Sequence, residues 1–578
     1  MFLRPCYRKK NGKPHAYWAL VESYRTARGP RQRVVAYLGQ IEKPKQLGIQ
    51  QAARKTRERQ HSLFDQVEPE WVDVDVNRLR VERCLDFGAP WIGLEVLQRL
   101  GLIEFLGKVM PAGREEIPWP MIAMVLVLCR LCHPSSELHI AEHLYKHTAI
   151  GDLLGVSADK INGQRLYRAL DRLLVHKEAL EAFLKNRLGS LFDLEYDLLL
   201  YDVTSTYFEG EAKGNPKAQR GYSRDRRGDC KQVCIGLVVT KGGMPLGYEV
   251  FAGNRSDVTT VEEIVETMEA RYGKAGRIWV MDRGMISQEN IEFLKEGGRQ
   301  YIVGTPKGML RKFERELLSE DWQSVHAGLE VKLCPTPNGE ETFILCRSED
   351  RRQKEKAMHE RFARRIEAGL KKLEASCQSR TYKPVTIAKR LGKLLGRNSR
   401  AAGLFETDVA GPVDGPARLL WRKVDAWRDW AELSEGCYLL RSSVNDWSGQ
   451  ELWKAYIQLT DAEEAFRIHK TDLRIRPVWH QKEQRVDAHI LVCFLAYVVW
   501  KTLGQLCLRA GLGDEPRRVL DELARIKLVD VVVPTRCGRQ IRRRCVTRPD
   551  DHQAILLQRL GLNLPSHLPV TDKKVNEM

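Results

Sequence analysis

The chain has 578 residues, a length that suits three or four domains of ~150 residues each. Hydrophobic residues make up 43% of it, which excludes a globally disordered chain and leaves enough apolar side chains for a large core. Lysine and arginine number 94 against 76 aspartates and glutamates, and the resulting net charge of +18 favours a polyanionic partner.

The apolar segments and the cysteines predict a cytoplasmic protein with no membrane span. The N-terminus, MFLRPCYRKKNGK, lacks the apolar core of a signal peptide. The longest apolar run, Ile490–Trp500, is shorter than the ~20 residues that a span needs. Cys129 and Cys132 form a lone Cys-x-x-Cys pair in an apolar stretch, so we expect buried, unpaired thiols and not a zinc site.

The first forty residues predict a small β-meander. Strand-like Phe2–Arg8 and Ala16–Tyr24 flank a strong hairpin turn, Asn11-Gly12, and Gln32–Leu38 is a third strand. The polar, charged segment that follows is typical of a linker.

A helical pattern dominates the next part of the chain, where Asn162 is a suitable cap for a helix over Gly163–Leu174. Three arginines of this helix share one face, at spacings i, i+3 and i+7: Arg165, Arg168 and Arg172. A short helix at Thr148–Leu154 precedes it, which gives a weak helix-turn-helix pattern. Both a DNA-binding face and an ordinary solvated basic face remain open.

From Leu198 the hydrophobic period changes to that of strands. The apolar runs predict three strands and then a helix, a strand, a helix and a strand: Leu198–Val203, Gln232–Thr240, Met244–Phe251, Asp257–Ala270, Arg277–Met281, Gln288–Glu296 and Gln300–Gly304. Three antiparallel strands followed by helix–strand–helix–strand is the order of a ribonuclease-H-like core, the retroviral-integrase-like arrangement. The fold class is therefore mixed α+β.

An insertion interrupts this core, and a basic tail follows it. The insertion contains short strands, a strongly charged helical stretch at Glu349–Cys377 and a basic stretch that continues to Gly403. Near the C-terminus, Val531–Thr535 and Gln540–Thr547 predict a basic hairpin. Three consecutive arginines of that hairpin are candidates for DNA contacts: Arg542, Arg543 and Arg544.

These patterns divide the chain into seven segments. We expect a β-meander, a linker, a helical DNA-binding region, the first part of the core, an inserted domain, the second part of the core and a basic C-terminal region: 1–40, 41–72, 73–195, 196–304, 305–449, 450–510 and 511–578.

Two aspartates end apolar strands of the predicted core: Asp202 in LLLYD and Asp282 in RIWVMD. Each alone is commonly a cap or turn residue, but ligand sites gather at the strand ends of such sheets. Two carboxylates at the same edge of the sheet repel each other, and a divalent cation bound between them would offset this repulsion. A phosphatase of the Asp-x-Asp type is excluded, because it needs an acid at Thr204.

A third acid lies in the segment YIQLTDAEEAFRIHK. At ~100° per residue, four of its side chains fall within ~60° of arc, on one helix face: Tyr456, Glu463, Arg467 and Lys470. An acid beside a tyrosine and cations suits metal ligation flanked by phosphate contacts, and the alternative is a surface helix with a Glu463–Arg467 pair. The three acids would complete a two-metal phosphoryl-transfer site, with ions ~3.5–4 Å apart.

The acidic residues and their surroundings resemble the DDE transposases of bacterial insertion sequences. One branch, the insertion-sequence-four-like superfamily, has its third acid in a Tyr-x2-Arg-x3-Glu-x6-Lys signature. Tyr456, Glu463 and Lys470 match that spacing. Leu459 stands in place of the arginine, and Arg467 is a candidate substitute.

The gaps between the acids also resemble this branch. They are 80 residues from Asp202 to Asp282 and 181 from Asp282 to Glu463, and the second gap suits the β-rich inserted domain of the branch. The resemblance covers at least residues 198–505.

The resemblance implies two Mg²⁺ or Mn²⁺ ions per site, cleavage at terminal inverted repeats and strand transfer into target DNA. It also implies double-stranded DNA as partner, a homodimer or higher assembly on that DNA, no membrane, and a place at the nucleoid of a bacterial cytoplasm. A ribonuclease-H-like nuclease without strand transfer and a catalytically silent DNA-binding derivative stay open as alternatives. His480 and His489 are expected to pack or contact DNA rather than bind zinc.

Overall fold

Four sheets and the helices that cover them form the part of the chain that the computed structural model describes. That part is residues 2–10, 13–26, 29–39, 72–274 and 276–569, without the side chains of 2–20, 22–39 and 425–428. The predicted turn at residues 11–12 and nearly all of the predicted linker lie outside these ranges.

The strands, in chain order, are β1 Phe2–Lys10, β2 Lys13–Thr26, β3 Gly29–Gly39, β4 Arg80–Asp86, β5 Leu198–Tyr207, β6 Gln232–Thr240, β7 Pro245–Ala252, β8 Ile278–Met281, β9 Gln300–Gly304, β10 Gln323–His326, β11 Leu329–Pro335, β12 Thr342–Ser348, β13 Phe405–Ala410, β14 Arg418–Lys423, β15 Cys437–Ser442, β16 Lys527–Pro534 and β17 Gln540–Val546.

The helices are α1 Gly88–Arg99, α2 Leu102–Val109, α3 Trp119–Cys132, α4 Glu137–His147, α5 Ile150–Leu154, α6 Gly163–Leu174, α7 Lys177–Phe192, α8 Val261–Tyr272, α9 Gln288–Glu296, α10 Glu314–Leu318, α11 Glu349–Ser379, α12 Pro384–Arg397, α13 Ser399–Ala402, α14 Asp425–Ser434, α15 Gly449–Ile457, α16 Leu459–Thr471, α17 Glu483–Arg509, α18 Pro516–Leu523 and α19 Asp551–Leu560.

A nine-stranded mixed sheet organises the chain, in the order β10-β11-β12-β15-β9-β8-β5-β6-β7. Strands β5, β6 and β7 form an antiparallel meander, whereas β8 pairs parallel to β5 and β9 parallel to β8. The predicted order of strands and helices over residues 198–304 is confirmed. Every residue of β6 is buried, as expected for a strand with both faces covered.

The two faces of this sheet pack against different cores. On β5, Leu199, Tyr201 and Val203 join a core that contains apolar side chains of α8 and α9. Leu200 points the other way, into the larger core that includes α16 and α17. Because side chains alternate along a strand, Asp202 lies on the face of the sheet that α16 covers.

The insertion is not a separate β-rich domain, which corrects the expectation for residues 305–449. Its strands β10, β11, β12 and β15 extend the central sheet, because β15 pairs antiparallel with both β9 and β12. The rest is mainly helical: α11, α12 and α13 pack with the two-stranded sheet of β13 and β14, whereas α14 joins a different core with α10 and β15. α11 follows β12 directly, with Ser348 accepting a hydrogen bond from the Arg351 N–H at its start.

The long apolar helix α17 is central to the fold. It is long and apolar enough to cross a membrane, but 89% of its most apolar window is buried inside the protein. Its buried residues belong to the same core as those of α3 and α6. It is therefore a core helix.

A three-stranded sheet of β4, β16 and β17 was not predicted from the sequence. β4 lies in the region expected to be helical, and it pairs with β16 of the C-terminal hairpin. This pairing joins the helical region to the C-terminal segment. The N-terminal meander of β1, β2 and β3 is confirmed.

Arg544 is buried in the sheet of β4, β16 and β17, and this corrects its assignment as a DNA contact. Its side chain is 1% exposed. Its guanidinium pairs with Asp530 of β16 at 2.8 Å and with Asp152 of α5 at 2.6 Å. Both carboxylates are also buried, so the arginine neutralises them inside the protein.

We expect Arg544→Gln to lower the free energy of unfolding by about 3 kcal/mol, because two buried carboxylates lose their counter-charge. Urea unfolding followed by circular dichroism measures this loss. The matched control is Arg539→Gln on the same hairpin, which is exposed and should unfold like the native protein. Equal midpoints for the two variants would contradict the role of Arg544.

Candidate active site

The register of two parallel strands brings the first two acids together. Tyr201 of β5 pairs with Met281 of β8, so the next residues, Asp202 and Asp282, lie side by side. β8 ends at Met281, and Asp282 precedes a single 3-10 turn. β5 continues five residues beyond Asp202, because β6 pairs with it as far as Tyr207, so Asp202 lies within its strand and not at the end.

Asp202 is held in a largely desolvated position. Burial raises the pKa of its carboxyl to about 7. The Val203 N–H donates to this carboxyl at 2.8 Å and lowers its pKa, as does the Arg224 guanidinium. The nearby carboxylates of Asp282 and Asp257 raise the pKa further. Asp257 accepts hydrogen bonds from Arg224. Three carboxylates therefore lie near one arginine, an arrangement with excess negative charge.

A tyrosine hydroxyl orients Asp282. Tyr456 Oη donates to Asp282 Oδ1 at 3.2 Å, and burial raises the pKa of the phenol, which keeps it protonated. The end of β9 leaves room for this ring: a Cβ on Gly304 would lie 2.5 Å from Tyr456 Oη. Gly304 therefore permits the close approach of Tyr456 to the acid.

The segment with the third acid consists of two helices, which corrects the single helix face assumed for Tyr456 and Glu463. α15 ends at Ile457 and α16 starts at Leu459. The Thr460 hydroxyl donates to the Ile457 carbonyl at 2.8 Å, a side-chain bond that competes with regular helical bonding.

Glu463 is exposed on α16, on the side of the sheet that carries Asp202. Phe466 and Lys470, three and seven residues later, line one cavity with Thr204, which lies on the same face of β5 as Asp202. Glu463 shares this side of the helix. Arg467 instead pairs with Glu464 at 2.9 Å, and the Leu459 side chain, where the signature has arginine, is buried.

Lys470 is tied to a carboxylate that the sequence patterns did not single out. Its Nζ donates to Asp225 Oδ1 at 3.0 Å, and Arg476 binds the same oxygen. Burial lowers the pKa of Lys470, while Asp225 raises it. The other oxygen of Asp225 is buried without a hydrogen-bond partner. The dense charges of the segment Gly221–Leu237 were a signal for this loop, but not for which partners it would have.

The remaining candidate DNA contacts are dispersed. On α6, capped by Asn162 as predicted, Arg168 and Arg172 are exposed, and Arg165 lies 3.4 Å from Glu116. On the C-terminal hairpin, Arg542 pairs with Glu82 and Arg543 is exposed. None of these side chains is brought to the acids by any contact in the described residues.

His480 and His489 lie in a buried polar network, as the packing alternative predicted. With Glu137 they offer three ligand atoms within 4.8 Å of one another. However, His489 Nδ1 faces the Arg130 guanidinium at 3.4 Å and Nε2 faces the Ile475 carbonyl at 3.1 Å. Burial lowers the pKa of His489 to about 3, so it is neutral and already fully hydrogen-bonded.

Comparison with known proteins places these features in a family. Residues 193–499 match the family model described as the transposase DDE domain, and residues 3–66 match that of the IS1634 family transposase N-terminal domain. A piggyBac transposase synaptic complex with hairpin DNA is similar in structure, at a TM-score of 0.36 and 8% identity, over 79% of this chain and 82% of that one. None of the curated proteins compared with the chain matches it.

We expect Gly304→Ala to destabilise the protein, because the added Cβ would lie 2.5 Å from Tyr456 Oη. Tyr456→Phe removes that oxygen, so the double variant should recover part of the loss. A double-mutant cycle by urea unfolding should give a coupling of about 1–2 kcal/mol. Strictly additive effects would show that Gly304 does not position Tyr456.

Proposed function

Since this chain belongs to the DDE transposase family of insertion sequences, whose members cut DNA and transfer strands with divalent metal ions, we propose that Asp202, Asp282 and Glu463 are its metal ligands. The register of β5 and β8 carries the proposal, because it brings two carboxylates together on a sheet face that α16 covers. Glu463, on the same side of α16 as Lys470, supplies the third. The core that holds them is of the ribonuclease-H-like kind.

The donor set fits two Mg²⁺ or Mn²⁺ ions. Carboxylate oxygens are the ligands that these hard cations prefer, whereas zinc favours histidine and cysteine. The surroundings of Asp202 support the same assignment: burial, and to a smaller extent the carboxylates of Asp282 and Asp257, raise its pKa, and a cation would favour its charged form. When bound, the ions supply charge neutralisation at the phosphate under attack.

The protein's own residues hold and orient the reacting groups. Tyr456 fixes the orientation of Asp282, and Lys470 supplies a positive charge for a phosphate. In the first step the oxygen of water bonds to phosphorus, the bond to the 3′ oxygen breaks, and that oxygen takes up a proton. In the second step the 3′ hydroxyl oxygen bonds to a phosphorus of target DNA and loses its proton. The bond from that phosphorus to the target strand's own 3′ oxygen breaks, and this leaving oxygen takes up a proton.

The DNA substrate and the assembly belong to the same proposal. We infer that the enzyme cuts at terminal inverted repeats, acts at the nucleoid and works as a homodimer or larger complex on DNA. Arg168 and Arg172 are exposed and suit contacts with that DNA, as does Arg543. Arg467 remains a weaker candidate, because Glu464 already pairs with it.

Removing any one of the three acids should abolish cleavage. We expect Asp202→Asn, Asp282→Asn and Glu463→Gln each to lower the rate at least about a thousandfold, because ligands of a shared metal pair act as one unit. Cleavage of labelled end DNA is the assay, with DNA binding measured in parallel and expected to persist.

The matched control is Glu464→Gln. That carboxylate forms an exposed pair with Arg467, which is worth little, so activity should stay within about threefold of the native enzyme. An inactive Glu464→Gln beside an active Glu463→Gln would mean that the neighbouring residue is the ligand.

Chelation should remove activity, and either Mg²⁺ or Mn²⁺ should restore it, because the proposed ligands are all carboxylates. Cleavage and strand transfer are scored separately on one gel. Recovery of activity with zinc alone would contradict the proposed set of carboxylate ligands. Cleavage without any joined product would show that the protein is a nuclease without strand transfer.

A further inference from the structure

One helix of the insertion has an exposed face in which cations and glycines predominate, together with Val385 and Thr386 of its first turn. On α12, Lys389, Gly392, Lys393, Gly396 and Arg397 follow the spacing i, i+3, i+4, i+7 and i+8, which is one side of a helix. All five residues are exposed. The opposite side packs into a core of the insertion through Leu391 and the half-buried Leu394 and Leu395, and Ile387 is also buried.

The charges of this face are not balanced by acids. No aspartate or glutamate occurs between Glu374 and Glu406, an interval that contains seven lysines and arginines. The ion pairs found among the described residues include none with Lys389, Lys393 or Arg397. Some other exposed cations of the insertion are paired with acids: Lys371 and Lys423 with Glu367, and Arg422 with Glu406.

The two glycines have no packing role within the described residues. A Cβ on Gly392 or Gly396 would meet no atom within 4 Å. Gly369 of α11 differs, because a Cβ added there would lie 2.6 Å from the Leu394 side chain. Close packing of α11 against α12 therefore accounts for a glycine at this position. Glycine weakens a helix interior, and an exposed glycine allows another molecule to approach the backbone closely.

We propose that this face of α12 binds the phosphate backbone of duplex DNA outside the segment that is cut. Three unpaired cations on a flat helix face can each contact a phosphate, and the glycines let the helix lie close to the strand. The buried Leu391 of α12 belongs to a core separate from the two that surround the acids, which is why the proposal assigns this contact to the flanking DNA. The inference rests on the proposed function.

The test compares two triple variants with the same change in charge. Lys389→Gln/Lys393→Gln/Arg397→Gln removes the unpaired cations, and Lys371→Gln/Arg422→Gln/Lys423→Gln removes paired ones from the same insertion. Binding to a 40-bp duplex of arbitrary sequence is titrated at several salt concentrations without divalent ions. The first variant should bind more weakly, with a salt slope smaller by up to about 2.7. The second should stay close to the native slope.

A glycine variant tests the close approach. Gly392→Ala/Gly396→Ala should raise the melting temperature, because alanine favours the helix, and yet weaken binding to the duplex severalfold. If the glycines had only a structural role, the variant would not gain stability while it loses affinity for the duplex. Higher stability with unchanged affinity would overturn the role of the glycines.

The outcomes separate this inference from the proposed function. If the native enzyme cuts and joins DNA but both triple variants match its salt slope, the α12 contact is wrong and the proposed function stands. If the first variant loses affinity for structured RNA but not for DNA, the partner is wrong. If the native enzyme neither binds nor cuts DNA, both fail.

Discussion

The parallel pairing of β5 with β8 is the constraint on which the rest of the site depends. A one-residue change in that register would point Asp202 and Asp282 to opposite faces of the sheet, because side chains alternate along a strand. The present register puts two negative charges on one face, in a place where burial already disfavours charge. The surrounding groups then act on this unfavourable pair: Arg224 lies beside Asp202, and Tyr456 donates to Asp282.

The cations around the site are held by carboxylates in the DNA-free protein. Lys470 and Arg476 share Asp225, and Arg224 binds Asp257. A phosphate that enters must compete with these internal partners, so the affinity for DNA reflects an exchange of partners and not the addition of new ion pairs. Because of this exchange, a high net positive charge does not by itself make the site bind every anion.

Much of the fold follows from local patterns, and the failures share one physical origin. Gln232–Thr240, Gln288–Glu296 and Gln300–Gly304 were predicted to the residue, since each is an apolar or amphipathic run with clear ends. The pairing of β4 with β16 was missed, because it joins segments more than 400 residues apart, and no local pattern encodes a distant strand partner.

For the site, the sequence predicts three acids, two of which the strand register places side by side, but their neighbours could not be predicted. At the break between α15 and α16 the Thr460 hydroxyl donates to the Ile457 carbonyl, and a helical pattern of 100° per residue cannot detect such a break. Arg544 looks like its exposed neighbour Arg543 in sequence, yet Asp530 and Asp152 hold it in the interior. Which arginine of a basic run is buried depends on distant carboxylates.

The continuity of the nine-stranded sheet has a mechanical consequence. From β5, which carries Asp202, an unbroken ladder of hydrogen bonds runs through β8, β9 and β15 to β12, and α11 leaves β12 without a linker. A hinge motion of the strands of the insertion relative to β5 would require breaking these backbone hydrogen bonds. The strands of the insertion and the strand that carries Asp202 therefore belong to one hydrogen-bonded sheet, which limits how far they can move relative to one another.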